Sequence, residues 1–277
     1  MAVSLFDDMV ALYEAKSSYG QKCAIRETMQ VIALAGLNRG GFFEHAAFYG
    51  GTCLKIYYGL DRFSEDLVFT LLSPDNNFSL ETYFSSIADE FSLAGREVII
   101  TRKKSSGKTA IESAFLTDNT QVFDLSGKLM PKVRVEFEID TDPPLGFETE
   151  YNLSMKPYSF MARCYSLPSS FAGKMSALLY RGWRDRVKGR DWYDFEWYVR
   201  KGVAMDLGHF NERALQFGNT DEPFSADTFK EALREKIRNV DIELVKKDVL
   251  NFIDDESKLG IWDKDYFLKV AELMAIK

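Results

Sequence analysis

Apolar residues recur at helical spacing from the start of the chain: Leu5, Met9, Leu12 and Tyr13 within residues 3 to 16, then Ile25, Met29, Ile32 and Ala33 within 21 to 37. Two amphipathic helices are predicted there, the second stopped by Gly40 and Gly41. The period then shortens. FFEHAAFYGG reads as a short strand entering a Gly-Gly turn, and TCLKIYYGL as a helix that Thr52 caps. RFSEDLVFTLL, residues 62 to 72, alternates as a strand with Leu67, Phe69 and Leu71 on one face and Ser64, Asp66, Val68 and Thr70 on the other. A helix over 79 to 94 and strands near 97 to 103 and 110 to 116 follow, joined by the basic loop RKKSSGKT. Residues 117 to 131 form a longer excursion. KVRVEFEID, 132 to 140, is the cleanest half-buried strand, with Val133, Val135, Phe137 and Ile139 alternating with Arg134, Glu136, Glu138 and Asp140. SFMARCYSL is a further strand that ends at Pro168. Beyond it strand signals vanish, and helices are predicted at 169 to 182, 190 to 200, 207 to 217, 225 to 238, 241 to 254 and 263 to 275. The pattern predicts an α+β domain over 1 to 166 followed by a helical domain over 167 to 277.

Composition narrows the chemistry. The 277 residues carry 35 Lys plus Arg against 42 Asp plus Glu, a formal charge of -7 that excludes a generally basic nucleic-acid coat but not a local basic patch. Three cysteines (Cys23, Cys53, Cys164) without CxxC spacing argue against a disulfide framework or structural zinc, and two histidines (His45, His209) against a multi-His metal site. Chemistry is therefore expected to rest on carboxylates, Lys and Arg. No stretch approaches the ~20 apolar residues of a membrane helix and the start does not read as a secretory signal, so a cytoplasmic location is expected. RKKSSGKT ends like a phosphate-binding loop, but Arg102 stands where that motif needs its first glycine. His45 reads as a packed residue of an apolar strand and His209 as lying near the start of a surface helix. Cys53 reads as buried, with a lowered thiol pKa at the helix start as the alternative.

Gly50, Gly51 and Thr52 sit where a strand gives way to a helix. Glycines there let an anion approach the backbone, and the helix N-terminus presents free N–H donors. Phosphoryl-transfer sites also need carboxylates fixed on a strand and pointing the same way, as residues i and i+2 do. Asp66 meets that requirement; its same-face neighbour is Val68.

The segment GGTCLKIYYGLDRFSEDLVF, Gly50 to Phe69, resembles the active-site motifs of the AbiEii family of nucleotidyltransferase toxins, members of the DNA polymerase β-like nucleotidyltransferase superfamily. Those motifs are Gly-Gly-Ser/Thr, a short helix, and a strand carrying Ser-x-Asp-x-Asp. SLPSSFAGKMSALLYRGWRDRVKGRDWYDFEWYV, Ser166 to Val199, resembles the family's later motifs, a lysine on one helix and an aspartate opening the next. With KVRVEFEID between them, the resemblance runs from about residue 40 to 200.

The resemblance implies a polymerase β-like fold with the active site in the cleft between the sheet domain and the helical domain. It implies that Gly50, Gly51 and Thr52 embrace the nucleotide phosphates with Ser64 beside them, that Asp66 is the first metal-binding carboxylate, that Lys174 contacts the triphosphate, and that Asp191 is the aspartate of the last motif. Glu136 is the preferred third carboxylate, with Glu138 and Asp140 on the same face as alternatives. Mg2+ or Mn2+ is the implied cofactor, a nucleoside triphosphate the substrate, the 3′ end of tRNA the leading acceptor, and an AbiEi-type antitoxin the partner, acting with or without direct contact, in phage defence by abortive infection. Val68 departs from the pattern: it removes a ligand and a negative charge, so ordinary two-metal catalysis is expected to be badly impaired. The alternative reading is a non-catalytic nucleotide-binding or interaction protein on the same scaffold. Tyr193, Phe195, Trp197 and Tyr198 are expected in the core of the helical domain. The basic run Arg181, Arg184, Arg186, Lys188 and Arg190 is read as a positive rim for triphosphate or an RNA backbone.

Overall fold

The computed structural model describes residues 4–103, 110–119, 128–181 and 187–277. The chain divides into two compact units. One comprises Met1–Cys53, Glu65–Pro143 and Glu150–Cys164; the other comprises Leu54–Ser64, Pro144–Thr149 and Tyr165–Lys277. Residues 54–64 and 144–149 group with Tyr165–Lys277, so the two units are not divided by a single cut in the chain.

Among the described residues the first unit holds a seven-stranded mixed sheet. Its strands are β1 (Ala46–Tyr49), β2 (Leu67–Leu71), β3 (Val98–Arg102), β4 (Ile111–Asp118), β5 (Arg134–Asp140), β6 (Thr149–Ser154) and β7 (Phe160–Tyr165), in the order β3-β4-β5-β2-β1-β7-β6. β2 pairs antiparallel with β1 and parallel with β5; β1 pairs parallel with β7. The alternation read in KVRVEFEID holds: Val135, Phe137 and Ile139 are buried, while Glu136, Glu138 and Asp140 remain partly exposed. Helix α1 (Leu5–Ala11) is followed by α2 (Ser18–Arg39), which is capped by the Ser17 side chain and packs on α4 (Phe84–Leu93) and β5. An aromatic cluster closes this core, Phe42 meeting Phe69 edge-on with centroids 4.9 Å apart.

The sheet unit departs from the sequence pattern in several places. Residues 62 to 66 are not strand: β2 begins at Leu67, so Ser64 and Asp66 lie in the segment before it. His45 ends a 3-10 turn (Phe42–Glu44) instead of lying in the strand. β6 was not anticipated, because its first five residues are exposed or half-buried and carry no alternation. The loop core at 104–109, most of the 117–131 excursion, and Arg184 and Arg186 of the basic run fall outside the described residues.

The second unit is built from α5 (Leu167–Tyr180), α6 (Gly189–Arg200), α7 (Leu207–Gln216), α8 (Ala226–Asn239), α9 (Ile242–Val249) and α10 (Lys264–Leu273). Ser166 caps α5, accepting from the Ser169 N–H, and Pro168 occupies the first turn, where a missing N–H costs nothing. The aromatic run after Asp191 is core, as expected: Tyr198 stacks on Phe171 with centroids 4.4 Å apart, and Phe195 and Trp197 are buried. α6 starts against α9, where the Gly189 N–H donates to Asp248 Oδ2 at 2.8 Å and a Cβ on Gly189 would lie 2.1 Å from the Val245 carbonyl oxygen. His209 is buried on α7, correcting the surface expectation. Its Nδ1 lies 3.2 Å from the Leu145 carbonyl oxygen, and burial first, then the neighbouring Arg213 charge, depress its pKa to about 4. No helix among the described residues is long and apolar enough to cross a membrane.

Candidate functional site

In the sheet unit the candidate residues gather where β1 ends. The chain turns through Gly50 at φ +81°, a conformation that favours glycine, directly into α3 (Gly50–Tyr58). Tyr49 pairs with Val68 across β1 and β2, so residue 68 faces the turn: a Cβ on Gly50 would stand 3.6 Å from the Val68 Cβ. The segment ahead of β2 is pinned by side chains. The Thr52 hydroxyl donates to the Asp66 carbonyl at 2.6 Å, the Gln30 amide donates to the Glu65 carbonyl at 2.9 Å, and Arg26 holds the Glu65 carboxylate at 2.8 Å. These contacts fix Asp66 beside the Gly-Gly turn and commit the Thr52 hydroxyl to the backbone.

The parallel register of β2 and β5 sets Leu67 against Phe137 and Val68 against Glu138, and Asp66 immediately precedes the first paired residue of β2. Glu136 also holds Lys103 Nζ at 2.8 Å, and that bond raises the lysine's pKa. Among the described residues no group of three or more His, Cys, Asp or Glu side chains comes together as a cation-ligand set. Cys53 is buried beside Cys164, and burial first, then that neighbour, push its thiol up, so the lowered-pKa alternative is excluded.

In the helical unit Lys174 on α5 and Asp191 on α6 meet: Lys174 Nζ lies 2.8 Å from Asp191 Oδ1 and 2.9 Å from Asp194 Oδ2. Asp191 and Asp194 are three residues apart and share one helix face. Behind them Arg62 grips Asp194 through Nε at 2.6 Å and a terminal nitrogen at 2.7 Å, and donates to the Phe63 carbonyl at 2.8 Å. Arg181 approaches Asp191 at 3.8 Å. Burial alone would raise the Asp194 pKa; the attraction of Arg62, then of Lys174, outweighs it and holds the carboxyl below its usual value. Ser64 is buried and closes the 54–64 segment of this unit.

Sequence reasoning missed Arg26, Gln30, Arg62 and Asp194. The one signal available was the Asp-x-x-Asp spacing at 191 and 194, which places two carboxylates on one face of a helix whose position opposite Lys174 only the fold reveals.

A family model described as "Nucleotidyl transferase AbiEii toxin, Type IV TA system" matches residues 32–270. No curated protein matches the chain. Among solved structures, MenT4, a nucleotidyltransferase toxin from Mycobacterium tuberculosis H37Rv, is similar with TM-score 0.56 at 16% identity over 96% of this chain and 93% of that one. JHP933 from Helicobacter pylori is similar with TM-score 0.52 at 19% identity over 91% and 90%. Likeness at these identities speaks to the fold.

Proposed function

We propose, because this chain belongs to the AbiEii family of nucleotidyl transferase toxins of type IV toxin–antitoxin systems, that it binds a nucleoside triphosphate and directs its α-phosphorus to an acceptor hydroxyl, with the 3′ end of tRNA as acceptor and an AbiEi-type antitoxin as partner. The observation that carries this reading is the 2.8 Å Lys174–Asp191 pair: the two residues nominated from the later motifs are 17 positions apart and meet on facing helices. In this reading the α3 N-terminus after Gly50 offers N–H groups to the phosphates. Lys174, positioned by Asp191 and Asp194, supplies positive charge to the triphosphate. Transfer forms a bond from the acceptor oxygen to the α-phosphorus as the bond to pyrophosphate breaks.

A divalent cation, Mg2+ or Mn2+, supplies charge neutralisation at the transferred phosphate in enzymes of this type. In this reading Asp66 stands for the first carboxylate of the family's pair and Val68 for the second, and the donor set does not fit that cradle, because Val68 turns an apolar side chain to Gly50 and Glu136 is shared with Lys103. Transfer by this chain is therefore weakened at residue 68 in this reading. The same observation favours a second reading, a nucleotide-binding protein that no longer transfers.

The test is incorporation of labelled nucleotide into tRNA by the parent and by Val68→Asp, alongside triphosphate binding. The expected result is a gain of about tenfold or more in Val68→Asp, equivalent to at least ~1.4 kcal/mol off the barrier. Binding without transfer in both proteins would support the second reading; neither binding nor transfer would overturn both.

A further inference from the structure

A cavity of about 250 Å³ opens in the helical unit where the end of α5, the start of α6 and the α8–α9 junction meet. Its charged lining is Arg181, Lys188, Lys236, Asp191 and Asp241. Both carboxylates are already committed. Asp191 holds Lys174 at 2.8 Å and Arg181 at 3.8 Å, and Asp241 caps α9 by accepting the Glu243 and Leu244 N–H groups. The ammonium groups are not matched in the same way. Lys236 donates to the Leu179 carbonyl, which carries no charge, and half-buried Lys188 has no ion pair or side-chain hydrogen bond among the described residues. Burial holds both below the usual lysine range; for Lys188 the Arg181 charge adds to it, partly offset by the attraction of Asp191. Trp192 and Val240 give the same cavity an apolar wall, and Asn239 adds an amide.

Two lysines that, among the described residues, have no close carboxylate partner of their own, set beside an apolar wall, fit a ligand with one anionic and one apolar end. The volume lies just below the ~300–1,000 Å³ of small-molecule sites, which limits the occupant to a single phosphorylated unit. We propose that this cavity holds one nucleotide unit, its phosphate at Lys188 and Lys236 and its base or sugar toward Trp192 and Asn239. The choice of a nucleotide as occupant rests on the nucleotidyltransferase reading. The unit is either a free monophosphate or the terminal residue of an RNA, and the probes distinguish them.

Isothermal titration of the full chain with adenosine 5′-monophosphate, and separately with a short oligoribonucleotide ending in a 3′-hydroxyl, tests this without requiring catalysis. Lys188→Met and Lys236→Met, which keep the apolar stems, are expected to weaken binding by about tenfold or more, whereas Lys188→Arg retains it within about threefold. Loss confined to the oligonucleotide assigns the site to an RNA end; loss confined to the monophosphate assigns it to a free nucleotide. Absence of binding to the parent by either probe, or binding unchanged in both Met variants, overturns the proposal. So does a loss of triphosphate binding equal to that of the probes, because the cavity would then be part of the triphosphate site. If triphosphate binding and transfer fail while probe binding and its Lys188 dependence persist, the functional reading falls and the cavity assignment stands.

Discussion

Removing the Asp194 carboxylate should cost the helical unit more than any exposed charge could. Asp194 is fully buried and accepts three charged hydrogen bonds, from Arg62 at 2.6 and 2.7 Å and from Lys174 at 2.9 Å. Asp194→Ala leaves Arg62, only 2% exposed, as an uncompensated buried cation. Breaking one side of such a pair costs about 3–5 kcal/mol, a large fraction of the ~5–15 kcal/mol that holds a domain folded. Replacing both partners by apolar groups, Asp194→Leu with Arg62→Met, should recover much of the loss because no orphan charge remains. Tryptophan fluorescence in urea is the assay, since Trp192, Trp197 and Trp262 are buried in the helical unit. The Asp194 pKa is lowered on folding, so its contribution is present above the unfolded value of ~3.9 and disappears as pH falls through the folded value. The stability of Asp194→Ala should therefore decline less steeply in acid than that of the parent. A loss below ~1 kcal/mol in Asp194→Ala, or a double variant no more stable than the sum of its singles, would refute the reasoning.

Two further perturbations address the same unit. Gly189→Ala would drive a methyl to 2.1 Å from the Val245 carbonyl oxygen and 3.0 Å from the Val249 nitrogen. Overpacking of about 1–3 kcal/mol or more is expected, read as a melting temperature lower by several degrees; an unshifted melt would show that α9 yields freely. His209, held near pKa 4 when folded against ~6.5 unfolded, takes up its proton in the unfolded chain first, so stability should fall as pH drops from 6.5 toward 4, by up to ~3 kcal/mol. His209→Gln should flatten that decline, and parallel pH profiles for the two proteins would show that another group is responsible.

Much of the site was legible, but unevenly. The polar face of β5 is written directly into KVRVEFEID, because a half-buried strand must alternate. The strand ahead of Leu67 was misread for a physical reason: Ser64 and Asp66 keep the alternation going, yet the Glu65 and Asp66 carbonyls accept from Gln30 and Thr52. Side-chain pins look like a strand in the sequence. Lys174 and Asp191 were nominated by resemblance, whereas Arg62 and Asp194 are 132 positions apart and nothing in either local pattern announces the pair. His209 was misplaced because its burial depends on Tyr165 and Phe147 packing edge-on against the imidazole, contacts from distant stretches of chain.

The discontinuous make-up of the helical unit bears on how the chain comes into being. Residues 54–64 emerge early in synthesis, but the Phe63 N–H donates to the Phe252 carbonyl and Arg62 waits for Asp194. At ~5–20 residues per second, roughly 10–40 s pass between the appearance of Phe63 and that of Phe252. Throughout that interval Phe63 lacks its final backbone partner, and for the part of it before Asp194 appears Arg62 lacks its carboxylate. This arrangement leaves the 54–64 segment without its full set of anchors until nearly the whole chain has been made.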